Sequence, residues 1–304
     1  MKSVASAHFP QVFVDQGYKW LFNPVLKKRY KNRPEERVRL KWTEYLLHDT
    51  LWKRTRIGFE TPVKLRQAEH ELRADLLLYT DQIEPHILIE CKSHSVNLNI
   101  STAEQAARYN SKIGARYIIL TNGLTDFCYH LKNGRPEISE LPFQNKENGL
   151  QKDFRYWSDR GFGSKKSDTI LKKWLTSALN DFWIDGTGGN TQYLPFKQSY
   201  LSVPMSQEYR VFDMQEHTRL AVSFIGYQKS PSWLVAVLNQ NGLNRSVLTV
   251  NLDDLAEGKK QSARCYTAGK EIASDARKLL DYDFGTYEAD TIHKLPGLLM
   301  KFFN

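Results

Sequence analysis

Several classes of protein are excluded by what this 304-residue chain lacks. It has three cysteines, Cys91, Cys128 and Cys265, with no close-paired spacing. That argues against a disulfide framework or a zinc cluster and fits a reducing cytoplasm. No apolar run approaches the roughly 20 residues of a membrane span. The N-terminus, Met1 to Ala5, has no long apolar stretch, which argues against a secretory signal. Gly186-Thr187-Gly188-Gly189 lacks the Gly-Lys-Ser/Thr ending of a phosphate-binding loop and reads as a turn, so the chain carries no nucleotide-motor signature. There is no internal repeat and no low-complexity tract. What is present is a 41% hydrophobic, 12% aromatic composition, enough for a globular core.

The formal charge of +9 is unevenly spread. Residues 1–67 hold 15 Lys and Arg against 6 Asp and Glu, and the remainder balances at 28 of each. The cations cluster at Lys27, Lys28, Arg29, Lys31 and Arg33, and again at Lys53, Arg54 and Arg56. A polyanion, most simply nucleic acid, is the expected partner; a solvated basic face is the plainer alternative.

Residues 34–52 read as a helix opened by Pro34. Strands are expected over 59–65, 75–79 and 87–91. A helix over 102–113, capped by Ser101 or Thr102 and ended by Gly114, leads to a strand at 117–120. A β-α-β step of this kind implies a mixed sheet with helices on its faces. A domain of 1–140, a linker and helix over 141–190, and an α+β domain over 191–304 are expected. In the last part, strands are expected at 220–227, 233–238 and 246–252, with a turn at Asn239 to Gly242 and a helix over 270–280. Trp183, Tyr200, Tyr209, Trp233 and Tyr266 read as core aromatics rather than base-stacking platforms.

One constellation carries chemistry. Asp75 opens an apolar segment, and Glu90-Cys91-Lys92 closes the next, with Asp81-Gln82-Ile83-Glu84-Pro85 between them. A hairpin centred between Gln82 and Ile83 sets Asp75 opposite Glu90, and alternation puts Lys92 on the face of Glu90. Two carboxylates and an ammonium at one end of an apolar hairpin suit a hard divalent cation beside a phosphate. The Cys91 side chain then points the other way, as a core thiol.

These residues also sit in a wider order: Pro34-Glu35-Glu36-Arg37-Val38-Arg39, Arg73-Ala74-Asp75, Ile89-Glu90-Cys91-Lys92, Gln105-Ala106-Ala107-Arg108-Tyr109-Asn110 and Leu120-Thr121-Asn122-Gly123. Over roughly residues 25–135 the chain resembles the N-terminal nuclease domain of type I restriction enzyme R subunits, in the RecB-like branch of the PD-(D/E)XK superfamily. The resemblance implies a restriction-endonuclease-like α/β core, with a mixed β-sheet flanked by helices, and a Mg²⁺-dependent endonuclease (Mn²⁺ substituting) acting on DNA in restriction, phage defence or repair. RNA stays open as the polymer. It implies that Asp75, Glu90 and the Cys91 carbonyl bind the metal, that Glu36 completes or tunes the site with Glu35 as the alternative, and that Lys92 orients or deprotonates the attacking water. Gln105 and Tyr109 match its Gln-x-x-x-Tyr signature, which supports the metal site and the substrate strand. It also implies a homodimer or a separate motor or specificity subunit. The competing expectation is a non-catalytic nucleic-acid-binding module or a subunit of a larger defence complex.

Overall fold

A computed structural model describes all residues except 17, 64–71, 134, 148–151, 185–187, 195, 197–204, 228–229, 279, 281–282 and 304. The chain divides into two compact units, Met1–Gln151 and Lys152–Asn304. The tail of the strand expected to reach residue 65, the first half of the glycine-rich turn at 186–189, and Tyr200 lie outside the described residues.

The first unit opens with an antiparallel three-stranded sheet, β1 (Gln11–Asp15), β2 (Tyr18–Asn23) and β3 (Lys28–Lys31), which the sequence did not announce. Helix α1 (Pro34–His48) follows, with Pro34 in its first turn. It stops four residues short of the expected end, where the Thr50 hydroxyl donates to the Leu46 carbonyl and Asp49 closes the helix. Six strands then form a mixed sheet in the order β4 (Ile57–Val63), β5 (Leu72–Tyr79), β6 (Pro85–Cys91), β7 (Tyr117–Thr121), β8 (Asp126–Lys132) and β9 (Arg135–Ile138). Only β6 and β7 run parallel, and α2 (Ile100–Ile113) is the crossover between them. A parallel pair needs such a connection because a tight turn cannot reverse the chain twice. Helix α2 is capped by Asn99, not by Ser101 or Thr102: the Asn99 side chain accepts from the Thr102 amide at 3.1 Å, and the Thr102 hydroxyl accepts from the Asn99 amide at 2.9 Å. Gly114 ends it at φ 77°, the left-handed conformation that glycine tolerates.

Strand alternation sorts the sheet into two faces. Leu76, Leu78, Ile87, Ile89 and Cys91 join Val38, Trp42 and Leu46 of α1 in one buried cluster. Leu77 and Leu88 pack on the other side with Tyr109 and Ile113 of α2. The sheet is therefore the middle of three layers. Trp42 ties α1 to β7, its indole N–H donating to the Thr121 hydroxyl at 2.9 Å in a buried setting.

The second unit has α3 (Phe154–Asp159), then α4 (Thr169–Trp183), capped by Asp168. A seven-stranded antiparallel meander runs in sequence order: β10 (Asn190–Tyr193), β11 (Glu208–Gln215), β12 (Thr218–Ile225), β13 (Trp233–Gln240), β14 (Leu243–Asn251), β15 (Ala263–Thr267) and β16 (Lys270–Ser274). Helix α5 (Leu252–Ala256) interrupts it, and α6 (Ala289–Met300) closes the chain. Phe182 and Trp174 of α4 pack edge-on or tilted against Phe224. On the opposite face Tyr209, Val211, Val235, Val237 and Val247 form a second cluster. Trp183, Tyr209 and Tyr266 are buried, as core aromatics should be, and Trp233 packs against that cluster.

The helix expected over 270–280 is not formed. Lys270–Ser274 is strand β16, followed by a short 3₁₀ turn at Ala276–Lys278. Ala268 and Gly269 both have positive φ and make a two-residue turn that pairs Lys270 with Thr267. The waiting edge of β15 overrides the local helical preference, because strand propensity is set largely by the neighbour on offer.

Candidate active site

Register places the acids. Leu76 faces Ile89, Leu77 faces Leu88 and Leu78 faces Ile87, so Asp75 falls in line with Glu90 at the same end of β5 and β6. On the other side of β5, Phe59 faces Leu76 and Thr61 faces Ala74, which sets Glu60 in line with Asp75. Three carboxylates, Glu60, Asp75 and Glu90, thus form a row across three neighbouring strands. Glu60 has φ 49°, a conformation uncommon outside glycine.

Helix α1 delivers a cation onto this row. Arg39 Nη2 lies 2.6 Å from Asp75 Oδ1, while Nη1 lies 3.1 Å from Glu36 Oε2 and 3.2 Å from Glu60 Oε1. The guanidinium also rides 5.2 Å from the centre of the Phe59 ring. The second Asp75 oxygen accepts the Cys91 amide at 2.8 Å, locking the carboxylate to the adjacent strand. Lys92 donates to Glu90 Oε1 at 2.8 Å. Tyr30, from β3, donates to Glu60 Oε2 at 3.2 Å.

The cluster is electrostatically unbalanced. Four carboxylates, Glu36, Glu60, Asp75 and Glu90, meet two cations, Arg39 and Lys92. With all groups ionised it carries two negative charges in excess. The strain shows in the titration of its members. Burial pushes the Glu36 carboxyl up to about 7; Arg39 opposes this, and Glu60 and Asp75 add to it. Burial, then the Asp75 charge, raises Glu90 against the pull of Lys92. Lys92 is raised despite its own burial, chiefly by Glu90, and stays an ammonium at neutral pH. The Tyr109 hydroxyl is raised by burial, then by Glu90 and Asp75, and stays protonated.

The remaining expected residues divide by position. Glu36 is buried and belongs to the cluster, whereas Glu35 is exposed and acts only as a charge felt by Lys92. Gln105 and Tyr109 lie one turn apart on α2 and line a cavity with Glu90. The Cys91 thiol is buried in the α1 layer and pushed well up by burial, so it is no nucleophile. Of the basic residues, Arg29 pairs with Asp15, Arg54 donates to the Pro24 carbonyl, and Arg56 pairs with Asp81. Lys27, Lys28, Lys31, Arg33 and Lys53 are exposed on or beside β3 and the turn before β4. Arg39 and Glu60 were missed as site residues. Arg39 had a local signal, standing three residues from Glu36 on one helix face; Glu60 depended on a pairing between β4 and β5 that spans residues with no turn motif of their own.

Among the described residues, no three His, Cys, Asp or Glu side chains are disposed together as a metal-ligand group. Among the same residues, no helix is long and apolar enough to cross a membrane.

A mixed sheet between two helices, with an unbalanced acid–lysine cluster at the strand ends, defines a site suited to charged chemistry on an α/β scaffold. Residues 34–142 match the family described as type I restriction enzyme R protein N terminus (HSDR_N). The match spans about a third of the chain, takes in every residue of the cluster except Tyr30, and associates this segment with restriction and defence and, coarsely, with nucleases. Neither the curated proteins nor the solved structures gave a match.

Proposed function

We propose that the first unit is a metal-dependent endonuclease of restriction-endonuclease-like architecture, acting on DNA within a restriction or defence system. The observation that carries this reading is the surplus of two carboxylates over cations in the half-buried cluster around Asp75. A divalent cation neutralises that excess, and the donors are the hard oxygens that Mg²⁺ prefers. Glu36 offers a buried Oε1 with no hydrogen-bond partner among the described residues, an acceptor awaiting a donor or an ion. Asp75, Glu90 and the Cys91 carbonyl would hold the metal, with Glu36 tuning the site through its charge. Mg²⁺ supplies a Lewis acid that lowers the pKa of water and offsets charge growing on a phosphate.

The chain's own residues have separable tasks. The Cys91 amide fixes the rotamer of Asp75. Glu90 holds the Lys92 ammonium at the mouth of the site, where its charge stabilises a phosphate and its protons orient a water. Tyr109, kept protonated, is a donor rather than a base. Arg39 offsets the charge of Glu36, Glu60 and Asp75.

The test is cleavage of plasmid and single-stranded DNA with Mg²⁺, Mn²⁺ or EDTA, beside Asp75→Asn and Lys92→Ala. Cleavage that needs metal and falls at least 100-fold in each variant is expected, the order of loss when a charged group acting on the reacting phosphate is removed. DNA binding without cleavage under any metal, by correctly folded protein, refutes the enzyme and leaves a binding module.

A further inference from the structure

Beside the acidic cluster lies a cavity of about 370 Å³ with the opposite charge. Its walls include Arg73 of β5 and Gln105, Arg108, Tyr109 and Lys112 of α2, with Glu90 as the shared border. The four α2 residues are spaced i, i+3, i+4 and i+7, so one helix face supplies them all. Arg108 and Lys112 set two cations of α2 on the wall that Glu90 borders. Arg108 and Lys112 are exposed, and neither pairs with a carboxylate among the described residues. The Tyr109 hydroxyl is buried without a partner among the described residues, and its ring offers an apolar wall. A volume of this size is within the range of small-ligand sites.

We infer that this cavity seats the nucleotide next to the one attacked, with Arg108 and Lys112 holding its phosphate. The inference rests on the nuclease reading for its placement, and it extends that reading to a polyanion-binding face on α2. The physical argument is the juxtaposition. A nucleic-acid strand presents one phosphate per residue, so a site that draws a cation to one phosphate needs positive side chains at the next. Glu90 borders both regions, paired with Lys92 on one side and lining the cavity on the other. The Tyr109 ring gives the sugar or base a surface to rest on, which is worth something for any sequence.

The experiment is the salt dependence of binding, measured by fluorescence anisotropy of a labelled single-stranded oligodeoxynucleotide and its duplex in EDTA. Removing one cation that neutralises a phosphate should lower the slope of log Kd against log salt by about 0.7 on the single strand and about 0.9 on the duplex. Arg108→Gln with Lys112→Gln should therefore flatten the single-strand slope by about 1.4 and weaken binding about 25-fold at 0.1 M salt relative to convergence at 1 M. Arg135→Gln, on the outer strand β9, removes a charge away from the cavity and should leave the slope unchanged. A double variant that matches wild type, or whose loss per charge equals that of Arg135→Gln, overturns the inference. Both variants alter exposed side chains, and circular dichroism verifies the fold. The two readings fail separately. Metal-dependent cleavage with unchanged slopes removes the cavity proposal alone; reduced slopes with no cleavage in any metal remove the nuclease reading and the placement beside an attacked nucleotide, and leave α2 as a polyanion-binding face.

Discussion

Arg39→Met isolates the ion that the carboxylates share. Methionine keeps the stem of the side chain against Phe59 and removes only the guanidinium. The Arg39 side chain is 12% exposed and contacts Asp75, Glu36 and Glu60, whose own side chains are 15%, 10% and 33% exposed. Breaking a buried pair by removing one partner costs about 3–5 kcal/mol, since the charges left behind are uncompensated. Glu60 is a third exposed and screened by water, so the lower end, about 3 kcal/mol at pH 8, is expected. The loss should shrink with acid, and the sign follows from Glu36. Its folded-state carboxyl titrates near 7 against an ordinary 4.5, so between those values the folded chain holds a proton that the unfolded chain has released. Stability therefore falls as pH rises through that window. Without Arg39, which lowers the carboxyl, Glu36 titrates higher still, so at pH 5.5 it is neutral and one uncompensated charge is gone. The assay is urea unfolding in EDTA at pH 8 and 5.5, with amide exchange of β5 and β6 identifying the transition of the first unit. A loss under about 1 kcal/mol at pH 8, the size of an exposed pair, or equal losses at the two pH values, refutes the account.

Two further outcomes follow from packing. Gly226→Ala should destabilise the second unit by about 3 kcal/mol, at the upper end for overpacking, because an added Cβ would stand 2.3 Å from the backbone of Gly163 and Ser164; a thermal unfolding midpoint equal to wild type contradicts it. Cys91, Cys128 and Cys265 are all buried, and burial raises all three thiols, so Ellman's reagent should find them unreactive in the native chain and count three in guanidinium. Rapid titration of one thiol without denaturant would show that its region opens.

The strands around Asp75 and Glu90 were legible because their signals are local. An apolar run, a turn and an apolar run set a register, and the observed pairing of Leu76 with Ile89 is the one that a turn between Gln82 and Ile83 demands. The same holds for the hairpin at Asn241-Gly242, where both residues take positive φ. The signals failed where the partner was distant or the pattern ambiguous. Lys270-Glu271-Ile272-Ala273 suits a helix in isolation, and β15 makes it a strand. The N-terminal sheet, β1 to β3, hid behind its basic residues: Lys28, Arg29 and Lys31 read as a charge cluster, and they are also a strand.

By itself the sequence determined the order of helices and strands from 34 to 121, the in-line placing of one aspartate with one glutamate, the lysine beside them, and the positive stretch over residues 1–67. Each of these follows from neighbours a few residues apart. The tertiary structure alone decided that Arg39 bridges Asp75, Glu36 and Glu60, that four carboxylates meet two cations there, and that a cavity lined by Arg108 and Lys112 abuts them. Those facts depend on where α1 and α2 dock on opposite faces of one sheet. Side chains far apart along the chain meet only after that docking, and their energies come from burial and from the company each charge keeps, neither of which a linear pattern records.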